Sequence, residues 1–145
     1  MKMPDKLEDS LFAPCGIDCC VCYVHLKKKK PCGGCLVEGA AKRGRCEACS
    51  LKTCARERGF VRCFECPTFP CAKLKRLDKS YRTRYGVSLV EQGVTARRDG
   101  IAAFLASDAL RWKCACGGAI SQHDRVCSDC GAVLPPLGEL YSHGN

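Results

Sequence analysis

The sequence predicts a small metal-stabilised protein that combines helices with irregular structure. Two observations support this fold class. Sixteen of the 145 residues are cysteine, twelve of them in the first half of the chain and four near its carboxyl end. The residues between the two groups contain no cysteine and show helical periodicity. We therefore expect a cysteine-rich zinc-binding module over residues 11–71, a helical segment over residues 72–112 and a zinc ribbon over residues 113–134.

Most of the cysteines occur in pairs separated by two residues, a spacing that lets one tight turn place two thiolates on a metal ion. The alternative is a disulfide framework, because cysteine at this density is also typical of short secreted domains. The amino terminus has no apolar run of the length that a secretory signal requires, and no stretch approaches the ~18 apolar residues of a membrane span. We therefore expect a cytoplasmic protein with no membrane partner, whose reduced thiols bind metal.

The first segment, residues 11–71, contains few large apolar residues other than cysteine. Its turn signals, such as PCGGC and ECPTFPC, predict short turns around metal. A structural zinc site contributes ~10–16 kcal/mol of apparent binding free energy, which is comparable with the ~5–15 kcal/mol that stabilises a whole domain. Metal binding is therefore expected to decide whether this segment folds.

Eleven cysteines of the first segment are candidate zinc ligands, in three sets. One set has ribbon-like spacing and comprises Cys32, Cys35, Cys46 and Cys49. A second four-thiolate set comprises Cys54, Cys63, Cys66 and Cys71. The third set is one ligand short and comprises Cys15, Cys19 and Cys22. Cys20 or His25 could complete it, but Cys20 adjoins Cys19 and points elsewhere, so we expect Cys20 to be a spare thiol. Interleaved ligands and bridging thiolates remain open alternatives.

The helical segment is predicted to contain three helices. The first has apolar residues every three or four positions, at Leu74, Leu77, Tyr81 and Tyr85. Ser88 and Glu91 form a capping box ahead of the second helix, which is expected to reach Arg98 and to stop at Asp99-Gly100. The third helix ends at Trp112 and has a predicted apolar stripe of Ile101, Phe104, Leu105 and Leu110.

The ribbon segment has the most specific single motif. A Cys-x-Cys-Gly-Gly knuckle and a Cys-x-x-Cys-Gly knuckle supply four predicted ligands, Cys114, Cys116, Cys127 and Cys130. The glycines permit positive backbone dihedral angles that turn amide groups toward the thiolates. The first knuckle is one residue shorter than the usual Cys-x-x-Cys. His123 lies between the knuckles and is expected to be a loop residue and not a ligand.

Four elements of the first segment carry a family resemblance. They are APCGIDC followed by Cys22 and Tyr23, then CGGC, then CEAC followed by Cys54, and finally CFECPTFPC. This pattern, over about residues 13–77, resembles a prokaryotic family known as domain of unknown function thirty-seven ninety-five. The resemblance implies a zinc-binding domain and brings no established activity. The helices and the ribbon also resemble the additions found in longer members.

Iron-based functions are the alternatives to zinc. Cys15, Cys19 and Cys22 have the spacing with which radical S-adenosylmethionine enzymes hold a four-iron cluster, but a complete barrel of that kind takes ~250 residues. An iron–sulfur cluster without that chemistry stays an alternative, because four thiolates also bind iron. A thioredoxin-like role requires a βαβ frame that the pattern lacks. The sequence shows no acid–base pair, nucleophile–base set or phosphate loop, which favours a protein that is not an enzyme.

The partner is not identified by the sequence. The formal net charge is +9, with basic runs at Lys27–Lys30 and in residues 73–76. Such patches can contact phosphates, although metal-bound thiolates would cancel most of the global excess. The sequence therefore predicts a structural zinc-binding protein that acts as a binding or adaptor module. Nucleic-acid binding through the basic patches and an iron–sulfur or redox function are the two alternatives.

Overall fold

The computed structural model describes residues 2–26, 36 and 50–133. The ribbon-like set of Cys32, Cys35, Cys46 and Cys49 lies outside the described residues, as does the basic run Lys27–Lys30. The zinc site predicted for those four cysteines therefore stays a prediction.

The described residues are mostly helical. The α-helices are α1 (Tyr23–Leu26), α2 (Ser50–Glu57), α3 (Ala72–Tyr85), α4 (Leu89–Asp99) and α5 (Ile101–Arg111). Short 3-10 helices occupy Asp9–Leu11, Cys19–Val21 and Cys63–Glu65. Strand pairing within the described part of the chain is confined to isolated β-bridges. None of the helices in this part is both long and apolar enough to cross a bilayer.

The helices α3, α4 and α5 confirm the three helices predicted between residues 72 and 112. Gly86 ends α3 in the left-handed conformation, with φ at 71°. The Ser88 hydroxyl caps α4 by accepting a hydrogen bond from the Glu91 backbone N–H at 3.2 Å. Gly100, with φ at 97°, separates α4 from α5 as predicted. The assignment of Leu110 to the apolar stripe was wrong, because its side chain is 77% exposed, whereas Phe104 and Leu105 are buried.

One apolar core draws on all three predicted segments. The first segment contributes Ala13, Val21 and Leu51, the helical segment Leu74, Leu89 and Trp112, and the ribbon segment Ala119, Ile120 and Cys127. A second cluster forms where Phe12 meets α5, with the Phe12 and Phe104 rings in edge-to-face contact at 5.4 Å between centroids. The cysteine-rich segment is therefore packed against the helices by its own apolar side chains.

The turn that carries the APCGIDC motif lies directly against α4. Gly16 has φ at 99°, and a Cβ atom at this position would lie 2.6 Å from the Leu89 carbonyl oxygen. The Gln92 side-chain amide donates a 2.6 Å hydrogen bond to the Gly16 carbonyl oxygen. The close approach of the two backbones explains why the motif has glycine here.

Two buried acidic groups lie beside this turn, Asp18 and, on α5, Asp108. The Asp18 carboxylate accepts a 3.0 Å hydrogen bond from the Cys20 backbone N–H. Burial, together with the nearby Asp108 charge, raises the pKa of Asp18 well above its usual value. Burial and the Asp18 charge likewise raise the pKa of the Cys20 thiol. The surroundings of Cys20 therefore favour its thiol form, and its assignment as a spare thiol stays a prediction.

Candidate metal centre

The four predicted ribbon ligands come together in a compact cluster. The sulfur atoms of Cys114, Cys116, Cys127 and Cys130 all lie within 4.8 Å of one another. Two of the separations are 3.6 Å, from Cys114 to Cys130 and from Cys116 to Cys127. Sulfur atoms bound at ~2.3 Å from one tetrahedral ion stand about 3.8 Å apart, whereas disulfide sulfurs stand at ~2.05 Å. The cluster therefore fits a single tetrahedral metal ion, as in a zinc ribbon.

Backbone amides of the two knuckles point at the sulfur atoms. The Gly118 N–H donates to the Cys116 sulfur at 3.3 Å. The N–H groups of Asp129 and Cys130 donate to the Cys127 sulfur at 3.4 and 3.5 Å. Gly117 and Gly131 adopt φ angles of 88° and 80°, as predicted. The same prediction was wrong for Gly118, whose φ is not positive and where a Cβ atom would instead lie 2.6 Å from the Cys127 sulfur. Such N–H donors stabilise the thiolate form that binds metal.

Cys127 is the ligand whose ionisation the fold favours most clearly. Its side chain is buried, and burial opposes loss of the thiol proton. Hydrogen bonds from the backbone of Cys130 and Asp129 and from the neighbouring thiols of Cys116 and Cys130 outweigh that effect and lower its pKa to about 6. The site therefore contains at least one thiol that is ready to bind metal at neutral pH.

The amino terminus holds the first knuckle, which the sequence did not predict. The Met3 N–H donates to the Gly117 carbonyl at 2.9 Å. The Lys2 ammonium group pairs with the Asp129 carboxylate at 2.7 Å and donates to the Cys116 carbonyl at 2.8 Å. Lys2 thereby joins the two knuckles across the cluster. Because more than a hundred residues separate Lys2 from its partners, no local sequence pattern identifies it.

His123 lies outside the sulfur cluster, in agreement with its prediction as a loop residue. Its Nδ1 atom accepts a hydrogen bond from the Tyr23 N–H at 3.4 Å, and its Nε2 atom lies 3.2 Å from the Tyr81 hydroxyl. The rings of Tyr23, Tyr81 and Tyr85 surround the imidazole at centroid distances of 4.7–5.7 Å. Burial in this cage lowers the pKa of His123 to about 4. The Asp124 charge opposes this shift, and the Arg84 charge adds to it. The imidazole is therefore neutral at physiological pH.

The neutral state of His123 predicts a loss of stability in mild acid. The unfolded chain takes up a proton near pH 6.5, whereas the folded chain does so only near pH 4. Stability is therefore complete above pH 6.5 and decreases as the pH falls from 6.5 toward 4. After discounting for partial exposure, we expect a loss of roughly 1–2 kcal/mol between about pH 7.5 and pH 5.

Urea unfolding with excess zinc measures this loss, and His123→Gln provides the comparison. Glutamine can hydrogen-bond to the same partners and does not titrate. Between about pH 7.5 and pH 5 the free energy of unfolding of the variant should therefore fall by less than that of the wild type. This comparison does not depend on the stability of the variant at neutral pH. Equal acid sensitivity in both proteins would contradict the assignment to His123.

The cysteines nearest the amino terminus do not form a compact cluster with one another. Cys15 and Cys19 are buried, and Cys22 is half-buried. Among the residues that the structure describes, the ribbon set alone has three or more candidate ligand atoms within 4.8 Å of one another. A shared ion for Cys15, Cys19 and Cys22, completed by Cys20 or His25, stays a prediction.

The second predicted set surrounds a cavity. Cys54, Cys63, Cys66 and Cys71 line a space of about 340 Å³ between α2 and α3. The Cys66 sulfur lies 3.1 Å from the Thr68 hydroxyl and 3.2 Å from a guanidinium nitrogen of Arg58. Hydrogen bonds from Thr68, and then the Arg58 charge and hydrogen bond, lower the pKa of Cys66. The four cysteines thus line one cavity, and a metal ion shared by them stays a prediction.

The fold and the cluster define a small, mostly helical, cysteine-rich protein whose carboxy-terminal cysteines fit a zinc ribbon. A family model described as "Protein of unknown function (DUF3795)" matches residues 11–76. This match confirms the resemblance seen in the first segment. No curated protein and no solved structure gives a significant match to the chain.

Proposed function

We propose that this protein is a structural zinc-binding protein that acts as a binding or adaptor module. The compact four-sulfur cluster supports this proposal. Four thiolates complete the tetrahedral shell of a zinc ion and leave no position for water or a substrate. An ion held in this way stabilises the fold and performs no catalysis of its own.

The donor set favours zinc among the common metals. Soft thiolate ligands in a tetrahedral arrangement select zinc or iron over magnesium, calcium or manganese. The 3.6 Å sulfur separations suit one ion, which makes zinc the simplest occupant. The ion would join a hairpin that is already attached to the core through Cys127 and to the amino terminus through Lys2.

The exposed face of α3 is a candidate interaction surface. Its exposed basic side chains are Lys73, Lys75, Arg76, Lys79, Arg82 and Arg84. Asp78 is the only acidic residue of the helix, and it is buried and turned toward α4, where it accepts hydrogen bonds from the Ser88 hydroxyl and the Val90 N–H. Asp78 also pairs with Arg82 at 2.9 Å, so the helix has no acidic residue for the other five basic side chains. This excess of positive charge suits an acidic protein surface. Nucleic acid is a second candidate partner because phosphates complement the same face.

Fluorescence anisotropy with a labelled acidic polypeptide, poly-glutamate, tests the adaptor proposal. We expect binding at low salt that weakens as salt is added. Lys75→Gln combined with Lys79→Gln should reduce the affinity by about threefold or more, since two exposed charges are removed. The matched control combines Lys6→Gln with Lys113→Gln, which removes two charges elsewhere and should have little effect.

A labelled single-stranded RNA and a DNA duplex of mixed sequence serve as competing probes. Nucleic-acid binding has a log–log salt slope of roughly −0.7 to −0.9 per phosphate contact. Tighter binding of either nucleic acid than of poly-glutamate would favour the second candidate. Absence of binding to all three probes at low salt would overturn an electrostatic partner surface on α3.

A further inference from the structure

The cavity lined by Cys54, Cys63, Cys66 and Cys71 differs from the ribbon site in shape. In the ribbon, two pairs of sulfur atoms are 3.6 Å apart. All four cysteines of the cavity set are described, and no three of their sulfur atoms lie within 4.8 Å of one another. The cavity volume is about 340 Å³, enough for several water molecules. Four ligands of a single ion at ~2.3 Å would leave no such space. The four thiols therefore line a cavity and do not converge on the position of a single metal ion.

The other walls of this cavity are largely apolar. Leu51, Ala55 and Leu74 are buried, and the Phe69 ring completes the lining. Within this lining, Thr68 and Arg58 both contact the Cys66 sulfur. An apolar lining with convergent thiols suits a compact inorganic group that needs sulfur ligands.

Positive charge surrounds the same space. Arg58, Lys73 and Arg76 line the cavity, and Arg58 donates a hydrogen bond to the Cys66 sulfur at 3.2 Å. Cys71 lies at the N-cap of the 14-residue helix α3, where the helix dipole favours negative charge. A thiolate-ligated iron–sulfur cluster is anionic overall, so these groups would compensate its charge.

We infer that Cys54, Cys63, Cys66 and Cys71 bind a cubane cluster of four iron and four sulfide ions. In such a cluster each thiolate binds a different iron atom, so the four cysteine sulfurs stand further apart than around one ion. This arrangement matches both the dispersed sulfurs and the cavity between them. The inference goes beyond the proposed function, because the ribbon and its ion have no part in it.

Anaerobic reconstitution of the full chain with ferric iron, sulfide and a thiol that reduces half of the iron tests the inference. We expect about four iron and four sulfide ions per chain, with broad visible absorption that dithionite bleaches. Cys66→Ser and Cys71→Ser should each lower the bound iron by about fivefold or more. The matched controls are Cys20→Ser, which removes a thiol outside the cavity, and Cys130→Ser, which removes a ribbon ligand. Both controls should retain the cluster.

A second variant preserves the test if the serine variants do not fold. Arg58→Gln keeps all four cysteines and removes the charged donor to the Cys66 sulfur. Hydrogen bonds to cluster sulfurs influence the reduction potential, so the variant should retain its iron and reduce at a more negative potential. A role of Arg58 in folding alone would not move the potential.

Three results would overturn the inference. The first is wild-type protein that stays colourless after reconstitution. The second is a cluster that persists in Cys66→Ser and Cys71→Ser, which would place the iron on other cysteines. The third is loss of one zinc ion, and no iron, in those variants. The third result would leave the proposed function intact, since it would add another structural zinc site.

Discussion

Cys127→Ser is expected to abolish metal binding by the ribbon and to lower the free energy of unfolding by about 4 kcal/mol or more. Two effects contribute. The first is loss of one of four ligands from a site of a kind that supplies ~10–16 kcal/mol of apparent binding free energy. The second is burial of a serine hydroxyl in place of a thiol, because residue 127 is only 3% exposed and belongs to the apolar core.

Cys130→Ser separates the two effects. Cys130 is exposed, so its replacement removes a ligand without placing a hydroxyl in the core. Urea unfolding and elemental zinc analysis should show the loss of one zinc ion in both variants. In chelator, Cys130→Ser should unfold like the wild type, whereas Cys127→Ser should remain less stable. The assignment fails if Cys127→Ser keeps the full zinc content of the wild type.

Gly16→Ala is expected to destabilise the protein by about 3 kcal/mol or more. The substitution forces an L-residue to adopt φ at 99° and places its Cβ atom 2.6 Å from the Leu89 carbonyl oxygen. That oxygen belongs to the first turn of α4 and cannot move without disturbing the helix. A shift of the turn would also break the hydrogen bond from the buried Gln92 amide to the Gly16 carbonyl.

Gly59→Ala is the matched control for this prediction. Gly59 has φ at 85°, but a Cβ atom there would meet nothing within 4 Å. Its replacement should therefore cost only the conformational strain, about 1 kcal/mol. Urea unfolding measures the free energy of unfolding of both variants. The difference between their losses gives the contribution of the contact with Leu89, separate from the backbone strain. Equal losses in the two variants would show that the close approach contributes nothing.

The sequence predicted those features that depend on local spacing. The ribbon ligands lie within seventeen residues of chain, and the two knuckles are each defined by adjacent glycines. The start of α4 follows from Ser88, and the boundary between α4 and α5 follows from Gly100, through a local hydrogen bond and a local backbone conformation respectively. In each case the determinant and its effect are close together in the chain.

Other features of the site depend on contacts between distant residues. The pairing of Lys2 with Asp129 and the enclosure of His123 by Tyr23, Tyr81 and Tyr85 require the folded core to be in place. The spacing of Cys54, Cys63, Cys66 and Cys71 predicted a set of ligands, but it carried no information on the volume between them. That volume depends on where α2 lies relative to α3, which no periodicity in the sequence specifies.

The shared core also determines how far this chain can be divided. Val21 of the family-matched region, Trp112 of the helical segment and Cys127 of the ribbon segment belong to one buried cluster. A fragment that ended near residue 76 would lose Trp112 and Leu89 from that cluster and would leave apolar surface in water. The three segments are therefore distinct in sequence, but they depend on one another for folding. Because the described parts of the chain share this buried cluster, we expect them to unfold together.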